Sequence, residues 1–194
     1  QLRFTNLDEK QILYGLGAIK GVGEAAIENL IAERELNGEF SSLDDFCRRI
    51  DTQKCNRRVL EALIQAGAMD CFDVSRASLL DWLPESLQRA EQHQRDAATG
   101  QVDLFGGAAA VVEDEPMPVI PEWPEDRRLH LEKETLGLYL TGHPILRYLP
   151  EIEHFASSRI NVLNESSAPD NGTGRRIERE VVVAGLVVAI RTRN

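Results

Sequence analysis

The segment Gly17-Ala18-Ile19-Lys20-Gly21-Val22-Gly23 holds residue types that can bind an anion. Two glycines flanking one apolar residue let the backbone turn tightly and present N–H groups outward. An amphipathic helix follows at once, near Glu24, and adds its positive end. With the charge of Lys20, the stretch Lys20, Gly21, Val22 and Gly23 could hold a phosphate oxygen. A bare corner between two helices would use the same glycines, and the carboxylate of Glu24 opposes an anion.

Lys54-Cys55-Asn56-Arg57-Arg58 precedes another helix. Cations at a helix start oppose the dipole. Lys54, Arg57 and Arg58 there suit a surface that meets phosphate, or simply a solvated basic turn. That helix runs into Ala66-Gly67-Ala68-Met69-Asp70, a second and more degenerate hairpin. Two helix-hairpin-helix units in tandem would straddle a DNA groove, one per strand, gripping phosphates without reading bases.

A third pattern is Gln101-Val102-Asp103-Leu104-Phe105, bounded by Gly100 and Gly106-Gly107. Leu and Phe in a glycine-bounded, extended segment suit insertion into a partner's pocket. The plainer alternative packs Leu104 and Phe105 back on the helices.

These patterns need elements to position them. Leu2-Arg3-Phe4-Thr5 and Ile12-Leu13-Tyr14 flank a polar stretch and read as a β-hairpin. Apolar positions 26, 27, 30 and 31 share one helix face, which Asn37-Gly38 ends. Ser41 or Ser42, with Asp44 or Asp45 three residues on, caps a helix carrying Leu43, Phe46, Cys47 and Ile50. Asn56 caps a third with Val59, Leu60, Leu63 and Ile64. Ser75 caps a fourth with Leu79, Leu80, Leu83, Leu87 and Ala90, where Pro84 is expected to kink or split the helix. Residues 99–125, rich in Gly, Ala and Pro, read as a linker. A helix with Leu129, Leu131, Leu136 and Leu140 should follow and end at Gly142-His143-Pro144. The apolar run 181–190 reads as a strand whose partners are not in view, as if the chain were cut inside a β domain.

Composition narrows the classes. The 194 residues carry a net charge of −10, with −6 of it in residues 81–115 and none in 51–80. Such a balance opposes nonspecific coating of DNA, so a DNA site must be local. Cys47, Cys55 and Cys71 form no CxxC pair, and the four histidines fall at no metal-ligand spacing. No apolar run reaches a membrane span, and the expected setting is the cytoplasm. No catalytic or metal site is expected, and Gln1 in place of Met suits a piece of a longer chain.

Taken together, Tyr14 to Glu24, Asn56 to Glu61 with Ala66-Gly67-Ala68, Gln101 to Phe105, and Glu134-Thr135-Leu136-Gly137-Leu138-Tyr139-Leu140-Thr141-Gly142-His143-Pro144 resemble one family. In order and spacing they are similar to the alpha subunits of bacterial DNA polymerase III, the C-family replicative polymerases. The resemblance implies a mainly α fold. Residues 1–14 would end the fingers region and 15–98 would form the tandem helix-hairpin-helix domain. Residues 99–125 would hold the clamp-binding motif, 126–176 a connecting segment, and 177–194 the first strand of a truncated OB-fold domain. It further implies duplex, primer-template DNA bound through Lys20, Gly21, Val22, Gly23, Lys54, Arg57 and Arg58. The sliding clamp would be bound through Gln101, Val102, Asp103, Leu104 and Phe105. Other holoenzyme subunits would be partners of the parent chain. The catalytic palm, with its Mg2+, would lie upstream, so this segment would carry no cofactor and would not itself be the enzyme. The same region of the error-prone paralogue, a helix-hairpin-helix module of a repair enzyme and an interaction scaffold are the alternatives.

Overall fold

Apolar residues at helical spacing drive the first helices together, and side-chain caps set where each one starts. The computed structural model describes residues 2–9, 11–98, 116–166, 180–187 and 190–193. The fold is mainly helical, and it divides into a unit of residues 1–140 and a unit of residues 141–194.

In the first unit, strands β1 (Thr5–Asn6) and β2 (Ile12–Leu13) form the expected antiparallel hairpin, pairing Thr5 with Leu13 and Asn6 with Ile12. A 3-10 turn, Leu16–Ala18, leads to α1 (Glu24–Asn37). Helix α2 (Leu43–Arg49) is capped by Ser42, whose hydroxyl accepts the Asp45 amide at 3.1 Å, while the Asp45 carboxylate accepts the Ser41 amide. Helix α3 (Arg57–Gln65) is capped by Asn56, whose side chain accepts the Val59 amide at 3.2 Å. Ser75 caps α4 (Arg76–Ala98), its hydroxyl accepting the Ser78 amide. The faces read from the sequence are the ones buried: Ala26, Ile27 and Leu30; Leu43, Phe46 and Cys47; Val59, Leu60, Leu63 and Ile64; Leu79, Leu83 and Ala90. Burial pushes the Cys47 thiol up to about 12 and the Cys55 thiol up to about 11, so both behave as small apolar core residues.

Several expectations are corrected. Helix α4 runs unbroken through Pro84. Proline removes the bond its nitrogen would give to the Leu80 carbonyl. The ring itself is exposed, while its neighbours Trp82 and Leu83 are buried and Trp82 Nε1 reaches Asp44 of α2 at 3.4 Å. The linker does not extend to residue 125. Residues 116–124 dock on the start of α4: Ile120 exchanges bonds with the Ser75 and Ser78 hydroxyls, and Trp123 is buried. Helix α5 (Glu125–Leu136) ends before Gly142, because Gly137 adopts a left-handed φ of 76° and closes it.

A buried ion cluster joins these parts. The Arg76 guanidinium is held by both oxygens of Asp70, at 2.8 and 2.7 Å, and by Glu132 Oε1 of α5 at 3.0 Å. Glu132, wholly buried, also accepts the Leu140 amide through Oε2 at 2.7 Å.

The second unit holds α6 (Leu149–Phe155) and α7 (Ile160–Ser166). The strand expected over 181–190 is not formed among the described residues. Residues 180–187 and 190–193 lack a ladder partner, and Val182 instead exchanges bonds with the Ser157 amide and hydroxyl. A lone strand leaves its backbone groups unpaired.

Replacing Glu132 by Ala leaves Arg76 with Asp70 as its one carboxylate partner among the described residues. Losing one partner of a buried pair costs about 3–5 kcal/mol. Because Asp70 stays, the expected loss is at the low end, about 3 kcal/mol, read as a lower urea midpoint with an unchanged slope. A loss below about 1 kcal/mol would show that the pair does not hold α5 in place.

Candidate nucleic-acid interface

The first hairpin is anchored by its apolar residues and open along its backbone. Ile19 and Val22 are buried, 3% and 8% exposed, while Lys20, Gly21 and Gly23 stay at the surface. Gly21 has a φ of 86°, in the left-handed region, with nothing within 4 Å of the place a Cβ would take. Its glycine is therefore required by conformation alone. Gly23 is the N-cap of α1, has a φ of −79°, and offers no side chain to the first turn.

The amides divide into two sets. Lys20 N–H donates to the Thr135 carbonyl at 2.9 Å, and Val22 N–H to the Ile19 carbonyl at 3.2 Å. The Gly21, Gly23 and Glu24 amides have no acceptor among the described residues. Backbone donors of this kind at a helix start suit an anion. Tyr14, six residues before Lys20, donates its hydroxyl to the Leu136 carbonyl at 3.0 Å. Burial raises the Tyr14 pKa, so the phenol keeps the proton it donates.

Lys20 and Gly21 open onto a groove of about 710 Å³, walled by Asn56 and Arg58 of the α3 start and by Leu131, Glu134 and Thr135 of α5. The two basic patterns of the sequence therefore meet at one place. Not all of their cations are free. Arg57 Nε pairs with Glu61 at 2.8 Å, and Lys54 Nζ pairs with Asp51 at 3.7 Å. Lys20 and Arg58 are exposed and have no carboxylate within ion-pair distance among the described residues. The Val22 side chain is core, and its amide is already taken by the Ile19 carbonyl. The third wall was not visible in the sequence. Thr135 lies 115 positions beyond Lys20, and no local pattern links the two. Glu134 brings one negative charge to that wall, 3.8 Å from His130 Nε2.

The second connection is built differently. The Gly67 amide returns to the Ile64 carbonyl and the Ala68 amide to the Leu63 carbonyl, the paired bonds of a Schellman helix end. Those amides are consumed within the protein. Gly67, at φ 77°, also has no room for a side chain, since a Cβ would lie 2.2 Å from Arg76 Nη2. The α4 start is filled by Ser75 and by Glu122, which accepts the Arg76 amide at 2.9 Å. Of the two hairpins read from the sequence, the first is the one whose glycine amides have no acceptor among the described residues.

Gln101, Val102, Asp103, Leu104 and Phe105 lie outside the described residues. Among the described residues no group of three or more His, Cys, Asp or Glu side chains could hold a metal ion, and no helix is long and apolar enough to cross a membrane.

A family model described as a helix-hairpin-helix motif matches residues 1–79. The chain is 45% identical to the DNA polymerase III subunit alpha of Vibrio cholerae over 97% of its own length and 16% of that subunit. Over this span the chain is similar to the DNA polymerase III alpha subunits. The subunits of Escherichia coli K12 and Pseudomonas aeruginosa agree, at 44% and 42% identity over 95% and 98% of the chain. The chain spans about a sixth of the length of these curated relatives. In this chain the matched motif ends within α4, and the groove draws its third wall from α5, beyond it.

The two glycines of the turn should respond differently to alanine. Gly21→Ala forces a Cβ into the left-handed region and should cost about 1–2 kcal/mol in urea unfolding. Gly23→Ala meets open space at an ordinary φ and should fall within about 0.5 kcal/mol of the parent. Equal losses at the two positions would contradict the conformational account of Gly21.

Proposed function

We propose that this chain is the segment of a replicative polymerase alpha subunit that holds duplex DNA by its backbone and tethers the polymerase to its sliding clamp. The observation that carries the DNA reading is convergence. Lys20 and Arg58, with no ion-pair partner among the described residues, face one groove, beside hairpin amides that no acceptor among those residues uses. Two point charges and a few backbone donors recognise phosphate and carry no base code. With −10 on the chain as a whole, such a grip is weak and relies on other contacts of the parent polymerase.

The test is a titration with duplex DNA at several salt concentrations. Lys20→Ala and Arg58→Ala should each weaken binding several-fold and each reduce the slope of log K against log salt by about one. Arg57→Ala and Lys54→Ala should matter less, because Glu61 and Asp51 already neutralise those cations. Binding that survives the Lys20/Arg58 double change would reject the groove.

The clamp reading rests on Gln101-Val102-Asp103-Leu104-Phe105 within a chain similar to these subunits. Leu104 and Phe105 would fill an apolar cleft, with Gln101 bonding at its edge. Burying Leu and Phe is worth roughly 1.5–3 kcal/mol each before ordering costs, which points to micromolar affinity. That suffices for a tether, since clamp and polymerase share one DNA and the local concentration is high. Changing Leu104 and Phe105 together to Ala should abolish binding to the clamp and leave the thermal midpoint unchanged. A double variant that still binds, or that melts many degrees lower, would assign the pair to core packing.

A further inference from the structure

The hairpin that offers the Gly21 and Gly23 amides is held from outside by the end of α5. Thr135 and Leu136 are the last residues of that helix, so their carbonyls have no partner within it. Both are taken by groups flanking the first hairpin: Lys20 N–H by the Thr135 carbonyl at 2.9 Å, and the Tyr14 hydroxyl by the Leu136 carbonyl at 3.0 Å. The same hydroxyl lies 3.4 Å from the Ala18 carbonyl, inside the 3-10 turn that feeds the hairpin.

We propose that Tyr14 is a positioning residue for the phosphate groove: its hydroxyl ties down the end of α5, so that Thr135 keeps the Lys20 amide turned inward and the Gly21 and Gly23 amides stay turned outward. This rests on the phosphate reading of the groove given above. The physical argument concerns successive peptide planes. Ile19 and Val22 anchor the two sides of the turn by burial, which fixes its place but not the rotation of the peptides between them. Gly21, with open space around it, is free to rotate in a way no other residue type would be. The bond from Lys20 to Thr135 is the one hydrogen bond among the described residues that sets the Ile19–Lys20 peptide plane, the one before the plane that carries the Gly21 amide, from outside the turn; within the turn the Ile19 carbonyl of that plane accepts the Val22 amide. Tyr14 secures the neighbouring carbonyl of the acceptor helix, one residue on.

Tyr14→Phe tests this without removing packing, because the edge contact of the ring with Phe4, at 4.7 Å between centroids, needs no hydroxyl. Two measurements are made on the full 194-residue chain. Amide hydrogen exchange in the absence of DNA should show Lys20 exchanging about tenfold faster or more, with the Leu60 and Leu83 core amides unchanged. Titration with duplex DNA should show binding several-fold weaker with the same salt slope, since no cation has been lost. Lys20 exchange that does not change, or that rises equally with Leu60 and Leu83, overturns the proposal. So does faster Lys20 exchange with undiminished DNA affinity. If the parent chain binds DNA with no dependence on Lys20 or Arg58, the phosphate reading itself fails, and that failure is seen in the parent before Tyr14 is touched.

Discussion

The buried guanidinium of Arg76 is the interaction on which the rest of the helical unit depends. It lies at the junction of four segments: the end of α3 through the Gln65 carbonyl, the following turn through Asp70, the start of α4 on which it stands, and α5 through Glu132. Burial alone would lower the Arg76 pKa, but Asp70 and Glu132 outweigh it and hold the group above its ordinary value, fully charged. A charge this deep is tolerated only when its donors are matched, and here the fork geometry of arginine meets two carboxylates. Gly67 belongs to the same arrangement, since the guanidinium fills the space any side chain there would need.

Fixing α5 through Glu132 has a direct bearing on the surface. Helix α5 supplies Leu131, Glu134 and Thr135 to the wall opposite Lys20 and Arg58. The groove is therefore a product of tertiary packing between parts far apart in sequence. Its electrostatics are mixed: two cations, Lys20 and Arg58, with no ion-pair partner among the described residues, and two carboxylates, Glu134 and Glu61, the latter paired with Arg57. Such a surface is suited to an anion where the backbone donors and the cations act together, and repels one elsewhere. That restrains a chain of net negative charge from gathering nucleic acid at random.

Much of this architecture was readable from local chemistry. Ser42, Asn56 and Ser75 are caps because their side chains can satisfy first-turn amides, and the apolar faces of α1, α3 and α4 follow helical spacing. What escaped was decided at a distance. Proline residues around 116–124 suggested a linker, but Glu122 and the Ile120 backbone find partners at the α4 start. Leu140 fitted the periodicity of α5, but Gly137 could take the left-handed turn and the Leu140 amide could return to Glu132. Pro84 looked like a break, and packing of its neighbours against α2 carried the helix through it. At the site, residue types singled out Lys20, Gly21 and Arg58 as candidate phosphate contacts, and the structure brings the three to one groove. They could not tell that Arg57 and Lys54 were already paired, nor that Val22 would be core.

The Arg76 cluster also sets an order of events during synthesis. Glu132 follows Arg76 by 56 positions. At roughly 5–20 residues per second, the ribosome delivers it roughly 3–11 s later. Until then the first four helices can gather around their apolar core, but the guanidinium has Asp70, the Gln65 carbonyl and water for company and no second carboxylate, and the α4 start lacks Glu122. The nascent domain passes through a state in which its most buried charge is still solvated, and closure waits on a helix made last. Long-range closure of this kind is slow relative to helix formation, so the groove beside Lys20 is assembled only after the whole unit has left the tunnel.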